Sequence, residues 1–280
     1  MRLATILYDE RELPGVITEE GFCPLREYTT LEDLIRVGDL IEDLTALTPE
    51  RIPMDEVQLL APIPRPSHDV ICLGMNFADH TEEAARFHPT MLRENYAVYF
   101  SKRVNEAVAD GCPIDSHSDL TEKLDYEAEI AVVIGKDAYK VPKEKAREYV
   151  FGYTIVNDVS ARDVQTRHKQ FYFGKSLDRF TPMGPVIVTA DEFSFPPEIG
   201  IRSRVNGELR QNGNTSQWIY GIDDVIEDLS KGMTLEAGTV IAMGTPAGVC
   251  MGFDPPKFLK PGDIVECEAD GIGKLTNGIE

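Results

Sequence analysis

Leu124-Asp125-Tyr126-Glu127-Ala128-Glu129-Ile130-Ala131-Val132-Val133-Ile134-Gly135 is the stretch that decides how the chain is read, because it sets two carboxylates at the head of an apolar, β-branched run. Side chains on a strand alternate faces at roughly 3.3 Å rise per residue. Glu127, Glu129, Ala131 and Val133 therefore share one face, and Ala128, Ile130, Val132 and Ile134 the other. Both faces are apolar beyond the glutamates, which predicts a strand buried on both sides. Two like charges in such a place raise each other's pKa unless a cation neutralises them. A divalent metal with oxygen ligands does this most simply; a strand whose wet end happens to read Glu-x-Glu is the alternative.

The rest of the composition narrows the class. With 280 residues, 42% hydrophobic and 27% charged, the chain can bury a sizeable core and carries no mark of disorder or fibrous repeat. No apolar run approaches the roughly 18 to 20 residues of a membrane span. The start, Met1-Arg2-Leu3-Ala4-Thr5, lacks a signal peptide's long apolar stretch, so a cytoplasmic protein with no membrane partner is expected. Against 28 basic residues stand 48 acidic ones, a net charge of −20, which argues against nucleic acid as a partner. Five widely spaced cysteines without Cys-x-x-Cys read as reduced, structural thiols rather than a disulfide framework or a zinc site.

The fold class expected is α+β, mainly β, in two domains. Residues 1–65 form a small α+β amino-terminal domain: a strand over Arg2 to Leu7, a turn through Asp9 to Gly15, a strand over Val16 to Thr18, then a helix. Thr30-Leu31-Glu32-Asp33 resembles a capping box with a short acid, and Leu31, Leu34, Ile35, Leu40, Ile41 and Leu44 make an apolar stripe behind it. Three prolines in Ala61 to Pro66 mark the boundary. Residues 66–280 form the catalytic domain, with short strands near 70–73, 97–100, 128–134, 151–156, 185–188, 201–205, 239–243 and 263–268, chiefly antiparallel. Helices are expected at about Ala78 to Phe87, Lys143 to Glu148 and Ile222 to Ser230.

Familiar motifs fail. Gly174-Lys175-Ser176 suggests a phosphate loop, but the glycine it requires five residues earlier is Lys169. Gly-x-Gly-x-x-Gly, Gly-x-Ser-x-Gly and His-Glu-x-x-His are all absent. What remains is a set of segments in order: Gly74 to Glu83, Asp125 to Glu129, Asn157 to Asp163, Gly174 to Asp178 and Gly244 to Gly248. Together they resemble the fumarylacetoacetate hydrolase family over about residues 70 to 280. The resemblance implies that family's mixed β-roll for the catalytic domain, and a homodimer whose exposed strands, such as Ile201 to Val205, need covering.

By the same resemblance, Glu127, Glu129 and Asp158 ligate one divalent cation per chain, Mg²⁺ or Mn²⁺, with Ca²⁺ also suited to the donors. His80 and Glu83, three apart at a helix start, form a dyad on a lid, with the glutamate as base for water and the histidine orienting it. Lys175 supplies a fixed charge for a developing oxyanion or enolate. Gln165, Thr245 and the backbone amides at Gly244 hold the substrate. Taken singly, each has a plainer reading: a turn aspartate, a surface pair, a solvated lysine, a surface glutamine, a β-turn.

The activity expected is metal-dependent hydrolysis of a carbon–carbon bond in a 1,3-dioxo acid such as an acylpyruvate or fumarylpyruvate. The alternative is decarboxylation of oxaloacetate or tautomerisation of an oxo acid, since these share the enolate; a metal-binding scaffold without turnover is a third. Met75 stands where some members acting on short diacids carry arginine, and Lys169 to Phe173 is rich in aromatics, which points to a less polar substrate tail. Removing Glu127 or Asp158 is expected to abolish metal binding while sparing the fold or even stabilising it, by relieving repulsion.

Overall fold

The computed structural model describes residues 1–38, 44, 48–85 and 96–280. The chain opens on a meander, β1 (Arg2–Tyr8), β2 (Arg11–Thr18) and β3 (Gly21–Pro24). The first turn is shorter than its sequence suggests. Asp9 and Glu10 take positive φ of 48° and 59°, the two-residue geometry that suits strand twist, so pairing with β1 draws Arg11 to Gly15 into β2. α1 (Leu31–Val37) starts at the expected capping box: the Thr30 hydroxyl accepts the Asp33 N–H and the Asp33 carboxylate accepts the Thr30 N–H, both at 3.1 Å. Leu31, Leu34, Ile35 and Leu44 of the stripe are buried, while Leu40 and Ile41 lie outside the described residues.

In chain order there follow β4 (Gln58–Leu59), β5 (Val70–Gly74), α2 (Ala78–Ala85), β6 (Val98–Lys102), β7 (Leu124–Asp125), β8 (Ala128–Ile134), β9 (Val150–Asn157) and β10 (Ser160–Ala161). Then come α3 (Arg162–His168), α4 (Phe171–Lys175), β11 (Met183–Thr189), β12 (Gly200–Val205), β13 (Glu208–Asn214), α5 (Ile222–Ser230), β14 (Val240–Ala242), β15 (Ile264–Ala269) and β16 (Gly273–Gly278). α2 reaches Ala85, and the Arg86 and Phe87 of the expected helix lie outside the described residues. The helix expected at Lys143 to Glu148 is a 3₁₀ turn behind Pro142.

A ten-stranded sheet runs β3-β2-β1-β11-β9-β8-β14-β5-β6, with β4 also on β1. β1 joins it through Arg2↔Val188 and Leu3↔Ile187, so the amino-terminal strands continue the sheet that carries β8. All of its pairings are antiparallel except β14 with β5. A second sheet, β13-β12-β15-β16, closes the roll. Ile201 to Val205 therefore lies inside a sheet as β12, not at an edge, because the polar run Glu208–Asn214 forms the strand outside it.

β8 is buried along its whole length, as its two apolar faces require. Ala128, Ile130, Val132 and Ile134 pack into one core with Tyr153, Ile155 and the second sheet's Ile201 and Val265. Ala131 and Val133 pack on the opposite side with Leu3, Val16, Leu31, Leu34 and Ile35. The amino-terminal helix thus roofs the face on which Glu129 stands.

Candidate active site

Strand register assembles the carboxylates. β8 and β9 pair with Ala128↔Asn157 and Glu129↔Val156, which sets Glu127 opposite Asp158 one step beyond the ladder. The Asp158 N–H donates to the Glu127 carbonyl at 2.8 Å and the Glu127 N–H to the Asn157 side chain at 3.0 Å. On the other flank Ala242↔Ala131 brings Gly244 beside Glu129, and the Gly244 N–H donates to Glu129 Oε2 at 2.8 Å. The outcome is a buried trio, Glu127, Glu129 and Asp158, with one oxygen from each lying within 4.8 Å of the others. Glu127 sits just ahead of β8 rather than within it.

Cations already surround two of the three. Lys175 Nζ, delivered by α4, donates to Glu127 Oε2 (2.7 Å), Asp158 Oδ2 (2.6 Å) and Ser160 Oγ (2.9 Å). Lys102 Nζ, fully buried at the end of β6, donates to Asp158 Oδ1 (2.6 Å) and the Val159 carbonyl (2.9 Å). Arg162, first residue of α3, spans Asp125 Oδ2 (2.8 Å) and Glu127 Oε1 (2.6 Å). Burial raises the Glu127 pKa, but Arg162, Lys175 and His80 outweigh it and hold the carboxyl well below the usual range. Lys175 moves up: burial opposes its charge and the Asp158 and Glu127 carboxylates more than compensate.

Glu129 differs. Its hydrogen bond among the described residues is the one from Gly244, and burial together with Asp158 and Glu127 pushes its pKa well up. It is a buried carboxylate beside two others with no cationic side chain of the described residues hydrogen-bonded to it, the condition that a divalent ion relieves. Three hard oxygen donors converging there fit Mg²⁺, Mn²⁺ or Ca²⁺.

Glu127 and Glu129 of the trio open onto a cavity also lined by Leu73, Met75, His80, Phe100, Arg162, Gln165, Phe171, Lys175, Thr245 and Met251, with Asp158 buried behind them. Of the aromatic stretch only Phe171 reaches it, since Tyr172 and Phe173 face outward. Gln165 accepts from Arg162 Nη1 at 3.3 Å. The Thr245 hydroxyl donates to the Ala128 carbonyl (2.9 Å) and accepts from Gln211 (2.6 Å), so at Gly244 and Thr245 the groups expected to hold substrate already brace β8 and Glu129.

α2 brings His80 and Glu83 together. Asn76 anchors its start, donating to the Met243 carbonyl at 2.8 Å and the Tyr220 carbonyl at 3.1 Å. His80 Nδ1 lies 3.2 Å from Glu83 Oε2, and the Gly248 N–H donates to Glu83 at 3.1 and 3.3 Å. A carboxylate only accepts, so Nδ1 carries the proton in this pair, and in the neutral ring Nε2 keeps its lone pair. His80 lines the cavity; Glu83 stands behind it.

A sequence profile described as fumarylacetoacetate (FAA) hydrolase, C-terminal, matches residues 69–280. The chain belongs to the fumarylacetoacetate hydrolase family. Oxaloacetate tautomerase YisK of Bacillus subtilis is 50% identical over 226 residues, 81% of this chain and 74% of that protein. The solved fumarylacetoacetate hydrolase from Exiguobacterium antarcticum is 40% identical with a TM-score of 0.87, over 100% of this chain and 99% of the other. A 5-carboxymethyl-2-hydroxymuconate delta-isomerase from Mycobacterium smegmatis reaches 33% and 0.80 over the same shares. The mainly β architecture expected of the family is the one observed.

Sequence reading passed over three residues of this charged cluster. Asp125 and Arg162 stood inside the segments that carry the resemblance, unassigned. Lys102 closes Val98-Tyr99-Phe100-Ser101, and an ammonium at the end of an otherwise apolar strand was the available signal for a buried ion pair.

Proposed function

We propose that this protein is a divalent-metal-dependent enzyme that carries a small 2-oxo acid of oxaloacetate type through its enolate, interconverting keto and enol forms. The observation behind this reading is the buried carboxylate trio, two of whose members, Glu127 and Glu129, line one cavity with His80 and Lys175. Glu127, Glu129 and Asp158 would hold a Mg²⁺ or Mn²⁺, which when bound would supply electrophilic stabilisation of negative charge developing on the oxo acid. In the keto-to-enol direction His80 Nε2, its ring held by Glu83, takes the proton from the carbon next to the carbonyl and the enolate oxygen takes one up from the protonated ring or from water; enol to keto runs the same two transfers backwards. Lys175, raised in pKa and so charged throughout the working range, favours the developing enolate oxygen electrostatically. The Gln165 amide NH₂, its oxygen turned to Arg162, offers a donor to a substrate carboxylate. The tautomerase name of the 50% identical relative supports this order of preference.

The second reading is hydrolysis of an acylpyruvate, in which the same dyad activates water. The hydrolase title of the Exiguobacterium structure favours it. A panel of oxaloacetate enol, acetylpyruvate and fumarylpyruvate, assayed with Mg²⁺ and with EDTA, separates the two. Metal-dependent ketonisation of oxaloacetate faster than any cleavage is the expected result. Rapid acylpyruvate cleavage with ketonisation at the buffer rate moves the assignment to the hydrolase.

We also infer a homodimer. Among the described residues β6 is an edge of the large sheet, and Tyr96, Val98, Tyr172 and Phe173 are all exposed beside it and on the adjoining α4. An unpaired edge beside exposed aromatics is a surface that proteins cover. Light scattering is expected to return twice the 31.2 kDa chain mass, and a value at the single mass contradicts the inference.

A further inference from the structure

We propose that Gly252 is a positioning residue for the His80–Glu83 pair, its missing side chain being the slot that the Glu83 carboxylate fills. A Cβ on Gly252 would lie 1.8 Å from Glu83 Oε1, 2.2 Å from its Cδ and 2.8 Å from its Cγ. Nothing in the backbone asks for glycine, since its φ lies outside the left-handed region. Gly252 closes a 3₁₀ turn, Cys250–Gly252, where alanine is the better former. The requirement for glycine therefore comes from the carboxylate.

The turn cannot step aside. Asp125 accepts the Cys250 N–H on Oδ1 at 2.6 Å and the Met251 N–H on Oδ2 at 3.2 Å, and Arg162 fixes that carboxylate from behind at 2.8 Å. The Gly252 N–H is tied to the Val249 carbonyl at 3.0 Å. On the near side the Gly248 N–H points at both Glu83 oxygens, and the Tyr126 hydroxyl donates to the Gly248 carbonyl at 2.7 Å. The 248–252 segment is thus a braced wall, and the end of the Glu83 side chain is the softest thing pressed against it. A methyl group at position 252 expels the carboxylate and leaves the wall in place.

This inference rests on the reading of His80 as the proton carrier. The test is Gly252→Ala in the full chain with saturating Mg²⁺, beside Glu83→Gln, the double variant, and Gly232→Ala, where a Cβ meets nothing within 4 Å. Gly252→Ala is expected to lose roughly 10²-fold in kcat, the scale of an ångström-sized misplacement, with KM, Mg²⁺ affinity and Tm near wild type. The double variant is expected to be no slower than Glu83→Gln alone, because both changes take the same carboxylate acceptor away from His80 Nδ1. Gly232→Ala is expected to behave as wild type. His80 imidazole ¹⁵N shifts are expected to move alike in Gly252→Ala and Glu83→Gln, a readout independent of turnover. Wild-type ¹⁵N shifts in Gly252→Ala, or losses that add in the double variant, overturn the proposal. Full activity in Glu83→Gln with shared ¹⁵N changes overturns the role of the dyad while upholding the positioning by Gly252.

Discussion

Asp158→Ala is expected to bind no divalent metal, to turn over no substrate and to melt at a lower temperature than the wild type, even in EDTA. The first two results follow from losing one of three converging donors. The third reverses the sign that repulsion among carboxylates suggests. Asp158 is fully buried between two ammoniums, Lys102 at 2.6 Å and Lys175 at 2.6 Å. Deleting one partner of a buried pair strands the other charge, at a cost of about 3–5 kcal/mol. In a domain of this size that lowers Tm by on the order of 10 °C. Glu127, which holds Arg162 at 2.6 Å and Lys175 at 2.7 Å, is expected to follow the same sign. Glu129→Gln is expected to do the opposite in EDTA. It removes the one carboxylate of the trio that no cationic side chain holds, while an amide oxygen can keep the bond from Gly244. Its Tm should rise as its metal affinity disappears. Calorimetric titration with Mg²⁺ and Mn²⁺ and melting curves in EDTA measure both, and an Asp158→Ala protein as stable as wild type would refute the ion-pair account.

Glu83→Gln is expected to keep its metal and its fold and to lose roughly 10² to 10⁴ in kcat, the size of a proton-transfer contribution. An amide in place of the carboxylate can donate to His80 Nδ1, which favours the tautomer whose proton lies on Nε2, the wrong nitrogen for a base facing the cavity. Ketonisation of oxaloacetate and any acylpyruvate cleavage should fall together, because both draw on the same ring. Decarboxylation of oxaloacetate needs no base at that carbon and should fall much less. Unchanged ketonisation in Glu83→Gln would leave the trio and Lys175 as the sufficient machinery.

What the sequence disclosed divides by range. β8 was legible from its short apolar, β-branched run alone, and α1 from Thr30 and Asp33, because both signals lie within a few residues. β13 was not: Glu208-Leu209-Arg210-Gln211-Asn212-Gly213-Asn214 lacks alternation and gains its strand from a partner, β12. Asp158 was nameable through the family segments, but its place opposite Glu127 comes from a ladder pairing residues 29 apart, Ala128 with Asn157. The ion pairs were hidden for the same reason, since Lys102 meets Asp158 across 56 residues. α3 and α4 escaped notice as helices of 7 and 5 residues, too short for a periodic signal. Gly174 lets them touch, where a Cβ would lie 2.6 Å from the Gln165 nitrogen.

The buried cluster also fixes an order of assembly. Asp125, Glu127 and Asp158 set three carboxylates against three basic side chains, Lys102, Lys175 and Arg162, and burial pushes the Glu129 pKa up toward its neutral form, so this cluster is close to charge balance before any ion arrives. A zinc finger, by contrast, has no folded state until its metal enters. Here the chain can complete its sheet first and load its ion afterwards, choosing among whatever divalent cations its surroundings offer. On the metal-dependent reading proposed above, stripping and refilling the site is expected to be a reversible exchange on a finished scaffold, with metal supply acting on activity as a dial.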